Sequence, residues 1–172
     1  MSIKQSIAYL WDGTPIEQSA VVHIHIKEAT NVVEINIDAP YYDDPRPDSP
    51  ASSFWGLWEY EVVEVFFVGK DGQYLEAEFG PHGHHLLLWL SGPRVIEKKH
   101  LPVHFTTEIV NKRWKGTAKI DRSVLPSNIH KWNLFSIHGI ETQRTYQCMY
   151  PLNTSKPDFH QPQRFPLYPE AT

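Results

Sequence analysis

Apolar and polar residues alternate with a period of two in one segment of this chain after another. Over residues 21–26 three aliphatic side chains share one face and two histidines share the other, and residues 33–38 repeat the pattern after a short turn. Side chains two apart point to the same side of a strand, so this alternation predicts a hairpin with one wet face. Helical periodicity is scarce, and the 14 prolines favour long, structured loops between strands.

Further runs of the same type predict an all-β chain of eight to ten strands. Strands are predicted over residues 57–67, 73–79, 84–90, 104–110, 114–121, 131–140 and 145–152, and a short helical turn over residues 123–130. An antiparallel β-sandwich of jelly-roll-like form fits this pattern best, and a closed barrel is the alternative. The length of 172 residues predicts a single domain over residues 1–172.

Composition narrows the classes of partner and the compartment. The formal net charge is −4 and no basic block stands out, so we expect no nucleic-acid partner. No run is long enough to span a bilayer, and the first residues lack the apolar core of a signal peptide, so we expect no membrane association. The single cysteine, Cys148, cannot form an internal disulfide, which favours a cytoplasmic location.

Three glutamates interrupt the predicted strand at residues 57–67, LWEYEVVEVFF. Glu59 and Glu61 lie near its start, where solvent reaches them easily. Glu64 lies near its middle and shares a face with Trp58 and Phe66. A carboxylate in such a setting costs free energy unless it has a partner. Glu64 is therefore either half of a structural ion pair or a ligand-facing carboxylate.

Aromatic faces beside carboxylates are suited to sugars, because a pyranose stacks its C–H face on a ring and its hydroxyls seek charged partners. On a straight strand Trp58 and Glu64 would lie ~20 Å apart, at ~3.3 Å per residue, which is too far for one sugar. They can share a ligand if Trp58 folds back from the preceding loop or if a bulge bends the strand. The proline-rich loop of residues 39–56 enters this strand, so we expect Trp55 and Trp58 at the mouth of a cleft.

Several motifs resemble those of family 9 carbohydrate-binding modules. They are LWEYEVVEVFF, the following QYLEAEFGPHG, and KPDFHQPQRF near the end of the chain. The resemblance implies a β-sandwich in which Trp58 is a stacking platform and Glu64 accepts hydrogen bonds from sugar hydroxyls. It implies a second ring from the C-terminal part, for which Tyr146, Tyr150 and Phe159 are the candidates.

The same motifs, with IHG and YP, resemble more closely an uncharacterised single-module family, the homologues of the chromosome-four open-reading-frame thirty-three protein. That resemblance implies a fold but does not indicate a function. The carbohydrate-binding family also leaves room for a structural calcium, for which Asp43, Asp44 and Asp48 are suggestive. We otherwise expect no cofactor.

Ten histidines invite a metal hypothesis, chiefly at the hairpin tip PHGHH, residues 81–85. Two registers are open: Glu78 lies opposite His85, or Gly83 forms a bulge and Glu78 lies opposite Leu86. No spacing typical of a metal site is present, so we assign no metal ligands and favour turn roles. His160 differs, because it lies in a proline-rich loop where no strand requires it.

No nucleophile or phosphate-binding motif is present, so we assign no catalytic residues. We predict a non-catalytic binding domain for a carbohydrate or similar small polar ligand. The ligand-binding candidates are Trp55, Trp58, Glu64, Tyr150, Phe159 and His160. A glycoside-acting enzyme with paired glutamates is one alternative and predicts a deep pocket with two converging carboxylates. A protein-interaction module is the other and predicts a flat apolar patch.

Overall fold

The computed structural model describes residues 1–169, which form two antiparallel sheets packed face to face. The strands are β1 Ser2–Ile7, β2 Tyr9–Leu10, β3 Val22–Glu28, β4 Val32–Pro40, β5 Val62–Gly69, β6 Tyr74–Phe79, β7 His85–Gly92, β8 Val95–Lys98, β9 His104–Val110, β10 Arg113–Asp121, β11 Ile129–His138 and β12 Thr145–Cys148. Short 3-10 helices span Gln18–Ala20, Leu57–Glu59, Arg122–Val124, Glu141–Gln143 and Pro162–Arg164. The predicted antiparallel β-sandwich is confirmed.

One sheet has five strands in the order β1-β3-β4-β10-β9, and the other has seven in the order β2-β12-β11-β5-β6-β7-β8. All the strand pairs are antiparallel. Alternation works as predicted in the β3–β4 hairpin, where Ile24 lies opposite Ile37 and both are buried. From the other sheet Val63, Val65 and Phe67 of β5 pack into the same inter-sheet core.

A second apolar cluster lies on the outer face of the seven-stranded sheet. Its strand residues alternate with those of the inter-sheet core, as Phe66 of β5 and Leu88 of β7 show. The two loops that cover this face contribute Leu57 and Phe165, both nearly inaccessible to solvent. The strands of this sheet are therefore apolar on both faces, which explains why β5 and β6 are buried along their whole length.

The predicted strand over residues 57–67 is wrong at its start. Gly56 adopts a left-handed conformation with a φ of 86°, and the 3-10 helix Leu57–Glu59 follows it. The strand proper begins only at Val62. Trp58 therefore lies on a turn and does not share strand parity with Glu64.

Other differences concern strand bounds and edges. The short strands β1, β2 and β8 were not predicted, because they are brief or polar and pair at sheet edges. The strand predicted over residues 145–152 ends at Cys148. The helical turn predicted over residues 123–130 is the 3-10 helix Arg122–Val124, and β11 already begins at Ile129.

The β6–β7 hairpin adopts the second of the two registers left open by the sequence. Gly83 has a φ of 88°, Glu78 lies opposite Leu86 and Phe79 lies opposite His85. This register puts Glu76 and Glu78 on the outer face of the sheet. No helix within residues 1–169 combines the length and apolar character needed to cross a membrane.

Two glycines with the same backbone angle differ in the space around them. Gly139 in the β11–β12 connection and Gly72 in the β5–β6 turn both have a φ of 82°. A Cβ on Gly139 would come within 2.3 Å of the Gln143 carbonyl oxygen, whereas one on Gly72 would meet nothing within 4 Å. We expect Gly72→Ala to lower the free energy of unfolding by ~1–2 kcal/mol through the left-handed backbone alone. Gly139→Ala should lower it by ~1–3 kcal/mol more, through steric overlap.

Chemical denaturation of the two variants beside the parent protein measures both free energies. Equal losses of stability would contradict the close approach at Gly139, since the two φ angles are matched.

Candidate ligand-binding site

A cleft of about 410 Å³ opens on the outer face of the seven-stranded sheet. Its volume lies within the ~300–1,000 Å³ range of small-molecule sites. Aromatic, acidic, basic and aliphatic side chains all contribute to its walls. They are Trp55, Trp58, Tyr146 and Phe159; Glu64, Glu76 and Asp158; Arg94 and His160; and Leu88, Leu90, Ile96, Ile137 and Pro157.

Trp55 and Trp58 form one wall, as the sequence predicted. Their rings meet edge to face at 5.0 Å, and 46% of Trp55 is exposed. The ammonium group of Lys99 lies 5.0 Å from the Trp55 ring centroid. Because Trp58 lies on the 3-10 helix rather than on a straight strand, it folds back to the cleft that Glu64 lines.

Arg144 holds the turn that carries Trp58. Its Nη2 donates to the carbonyl oxygens of Trp58 and, at 3.3 Å, of Tyr60. Its Nη1 donates to the carbonyl oxygen of Gly139 at 3.1 Å. One guanidinium therefore joins the tryptophan turn to the β11–β12 connection, which suits the planar, multivalent donor geometry of arginine.

Phe159 and Tyr146 form a second aromatic wall. Phe159 stacks on Phe135 of β11 with ring centroids 3.9 Å apart, and Tyr146 meets Phe159 edge to face at 6.0 Å. The segment that carries Phe159 is anchored by Asp158, which accepts a hydrogen bond from Arg94 at 2.6 Å and one from the His160 backbone N–H at 3.1 Å.

His160 lies between an aromatic cluster and the carboxylates. Its Nδ1 is 2.8 Å from the Tyr74 hydroxyl, and its Nε2 is 3.9 Å from Oε2 of Glu76. Burial, followed by the nearby positive charge of Arg94, lowers the pKa of His160 to about 4. The imidazole is therefore neutral at neutral pH and offers one nitrogen toward the cleft.

Three carboxyl groups converge beneath the aromatic walls. Glu64 lies directly opposite Glu78 in the β5–β6 pairing, and Glu76 lies two residues from Glu78 on the same face. One oxygen from each of the three lies within 4.8 Å of the others. Glu64 and Glu76 line the cleft, whereas Glu78 has no solvent exposure at all. The structure therefore brings together two carboxylates that the sequence had not assigned to the site.

Burial dominates the electrostatics of these three groups. It raises the pKa of Glu64 to about 8, an effect that the positive charge of Arg144 partly offsets. The pKa values of Glu76 and Glu78 also lie well above their usual range, first through burial and then through the neighbouring negative charges. Glu76 and Glu78 therefore share the buried environment of Glu64 on the same face of the sheet.

The structural ion-pair interpretation of Glu64 finds no partner in the part of the chain that the structure describes. No lysine or arginine nitrogen there lies within 4 Å of a Glu64, Glu76 or Glu78 oxygen. Glu64 faces the cleft instead.

Tyr150, a predicted ligand-binding residue, lies elsewhere. Because β12 ends at Cys148, strand alternation does not carry Tyr150 to the cleft. Asn133 holds the backbone of Tyr150, accepting from its N–H at 3.1 Å and donating to its carbonyl at 2.9 Å. The side chain of Tyr150 is half exposed and borders a separate groove of about 1,050 Å³ over the five-stranded sheet.

The hairpin-tip histidines contact the loop of residues 39–56 rather than the carboxylates. His84 Nε2 is 2.9 Å from the Ser49 carbonyl oxygen, and His82 Nε2 is 3.3 Å from the Tyr41 hydroxyl. His85 Nδ1 is 3.1 Å from the Gly83 carbonyl oxygen. The three rings therefore make turn and loop contacts.

Two of the loop aspartates suggested for calcium have hydrogen-bonding roles. Asp43 accepts from the Tyr41 hydroxyl at 2.6 Å, and Asp44 accepts from the Gly139 backbone N–H at 2.6 Å. The second contact attaches the loop to the β11–β12 connection.

Comparison with known sequences assigns the chain to a family. No family model matches it. It is 39% identical over 168 residues to the mouse UPF0462 protein C4orf33 homolog, covering 92% of this chain and 87% of the relative. It is 39% identical to the human UPF0462 protein C4orf33, with coverage of 90% and 81%, and 34% identical to the zebrafish homolog, with coverage of 92% and 85%. The chain belongs to the UPF0462 family.

Two solved structures have folds similar to that of this UPF0462 chain. A Bacteroides uniformis protein described as a "putative carbohydrate-binding protein" has a TM-score of 0.73 and 14% identity, covering 95% of this chain and 84% of that one. A family 9 carbohydrate-binding module from Caldicellulosiruptor kristjanssonii, solved with cellotriose, has a TM-score of 0.51 and 10% identity, with coverage of 78% and 67%. At these identities the likeness establishes the sandwich fold.

Glu61 is buried, contrary to the sequence expectation that solvent reaches it easily. One oxygen accepts from the Tyr42 N–H at 3.2 Å, and Oε2 has no partner within the described chain. Burial raises its pKa from the ordinary 4.5 to about 7.

The folded state therefore binds the Glu61 proton more tightly than the unfolded state. The resulting stabilisation is complete below the unfolded pKa and is lost as the pH rises through about 7. Glu61→Gln removes the titration, so unfolding free energy should fall less between pH ~5 and ~8, by up to ~3 kcal/mol at ~1.36 kcal/mol per pKa unit. Denaturation midpoints across this range measure the effect. Glu59→Gln, which alters an exposed side chain, should retain the parent slope, and a parent slope in Glu61→Gln would refute the assignment.

Proposed function

We propose that this protein binds a carbohydrate, or a similar small polar ligand, in the cleft between the tryptophan turn and the Phe159 segment. The observation that carries the proposal is the combination of the exposed Trp55 ring and the partly buried Trp58 ring with cleft-lining carboxyl groups in one site. Sugar recognition needs both an apolar stacking surface and polar groups at its edge.

Trp58 supplies the stacking surface, and Phe159 with Tyr146 supplies a second aromatic wall of the same cleft. The rings are held before any ligand arrives, Trp58 through Arg144 and Phe159 through its stack on Phe135. Such preorganisation reduces the ordering cost of binding. The cleft also differs from the flat patch expected of a protein-interaction module.

Sugar hydroxyls need both hydrogen-bond acceptors and donors, and the cleft offers polar groups of both kinds. Glu64 and Glu76 offer carboxyl oxygens, while Arg94 and His160 offer nitrogen atoms. The cellotriose complex of the structurally similar family 9 module supports a sugar as the ligand class, since that module has the same type of sandwich.

Trp58→Ala tests the stacking role. Loss of a central aromatic contact should weaken sugar binding by ~2 kcal/mol or more, which is about 30-fold in Kd. A glycan array identifies the ligand, and titration calorimetry measures the change in affinity. Tyr150→Ala is the control, because it removes an exposed ring outside the cleft. Equal loss in both variants, or none in Trp58→Ala, would contradict the proposed site.

Glu64→Gln tests the carboxylate. At a pH above about 8, where Glu64 is ionised, the substitution preserves shape and removes the charge, so the loss of a charged hydrogen bond should weaken binding by ~1.5–3 kcal/mol. Stability should stay the same or improve, because an unpaired carboxylate in an apolar setting costs free energy. A thermal melt and a binding titration on the same variant give both values. A lower melting temperature with unchanged affinity would indicate a structural role for Glu64 instead.

One observation favours a second function, glycoside hydrolysis. Glu64 and Glu76 converge in the cleft, and a carboxyl group with a raised pKa is what a general acid requires. Released reducing sugar after incubation with the bound glycan would establish hydrolysis, whereas an intact glycan would establish binding alone.

A further inference from the structure

The carboxyl groups of Glu64, Glu76 and Glu78 form a buried acidic cluster, and three of its oxygens have no hydrogen-bond partner within the described residues. The three residues are 2%, 4% and 0% exposed. Both oxygens of Glu78 and Oε2 of Glu76 are shielded from solvent and have no hydrogen-bond partner among residues 1–169. Buried polar atoms are nearly always paired, so unpaired ones call for a physical explanation.

Nearby bases do not supply the missing partners. Arg144 directs its hydrogen bonds to backbone carbonyls, and Arg94 pairs with Asp158. In the described chain, the basic nitrogen within 4 Å of the cluster is His160 Nε2, 3.9 Å from Glu76. Like charges held together in a low-dielectric site repel strongly unless something neutralises them.

We infer that Glu64, Glu76 and Glu78 bind a hard divalent cation, with Ca²⁺ as the best-fitting probe. One oxygen of each lies within 4.8 Å of the others. Two oxygens in one Ca²⁺ shell can be up to ~4.6–5.2 Å apart, because each Ca–O distance is ~2.3–2.6 Å. Carboxylate oxygens are the ligands that such cations prefer.

The cluster also has an access route and a further donor. Glu64 and Glu76 border the cleft, so a cation can enter from solvent, and Glu78 closes the site from behind. His160 Nε2 lies at the open side, and the Tyr74 hydroxyl 2.8 Å from Nδ1 orients the ring. A second group that orients a ligating imidazole is a regular feature of metal sites.

The inference goes beyond sugar binding, so its test uses cations alone. The full chain is stripped with chelator and titrated with Ca²⁺, Mn²⁺ and Mg²⁺ near neutral pH by calorimetry. We expect one Ca²⁺ or Mn²⁺ per chain. Saturation at about 100 times Kd should raise the melting temperature by about 5–10 °C. Failure of all three cations to bind would overturn the inference and leave shared protons as the neutralising agent.

Matched variants locate the site. Glu78→Gln preserves shape and should weaken cation binding at least tenfold, whereas Glu61→Gln, another buried glutamate with an unpaired oxygen, should leave it unchanged. Unchanged affinity in Glu78→Gln, or equal loss in both variants, would place the cation elsewhere and overturn the inference.

A measurement on the unmutated protein covers the case in which Glu78→Gln does not fold. Bound Mn²⁺ broadens nearby amide resonances, so signals from β5 and β6 around the three glutamates should disappear first. Broadening centred on the acidic loop at residues 43–48 would refute the proposed position.

Discussion

The antiparallel register between β5 and β6 determines the chemistry of the cleft. It places Glu64 opposite Glu78, with Glu76 on the same face, while Val65 and Ala77 point into the inter-sheet core. Strand side chains alternate, so a slip of one residue on either strand would direct carboxyl groups into the space between the sheets. Because charged or polar groups would be costly in the apolar inter-sheet core, the register that keeps this core apolar also keeps the carboxyl groups on the outer face.

Burial of that outer face depends on two loops rather than on a third sheet. The turn carrying Trp58 and the segment carrying Phe159 cover the second apolar cluster, and each is attached by an arginine. Arg144 bonds the first through backbone carbonyls, and Arg94 anchors the second through Asp158. Both loops are structural covers and walls of the cleft, so their position sets the burial of the glutamates and the width of the site together.

This arrangement explains why one site supports several kinds of chemistry. Carboxyl groups beneath aromatic walls can accept hydroxyl hydrogen bonds, donate a proton to a glycosidic oxygen or coordinate a cation. What distinguishes these uses is the occupant of the space beside Glu64 and Glu76. The second groove, over the five-stranded sheet, has a different character, since histidine, lysine and asparagine side chains contribute to its lining.

The sequence alone determined the β-sandwich and the main hairpins, and it named Trp55, Trp58, Glu64, Phe159 and His160 among the ligand-binding candidates. The tertiary structure places these five side chains around one cleft. Turn residues and the alternation of apolar and polar residues are local properties, so they can be recognised in the sequence. Only the tertiary structure decided that Trp58 lies on a turn, that Glu61 is buried and that Tyr150 faces another groove. It also decided that Glu76 and Glu78 join Glu64, because their faces depend on a bulge at Gly83 and on pairing with β5. A carboxylate's environment is set by what packs over it from distant parts of the chain, and no local pattern encodes that.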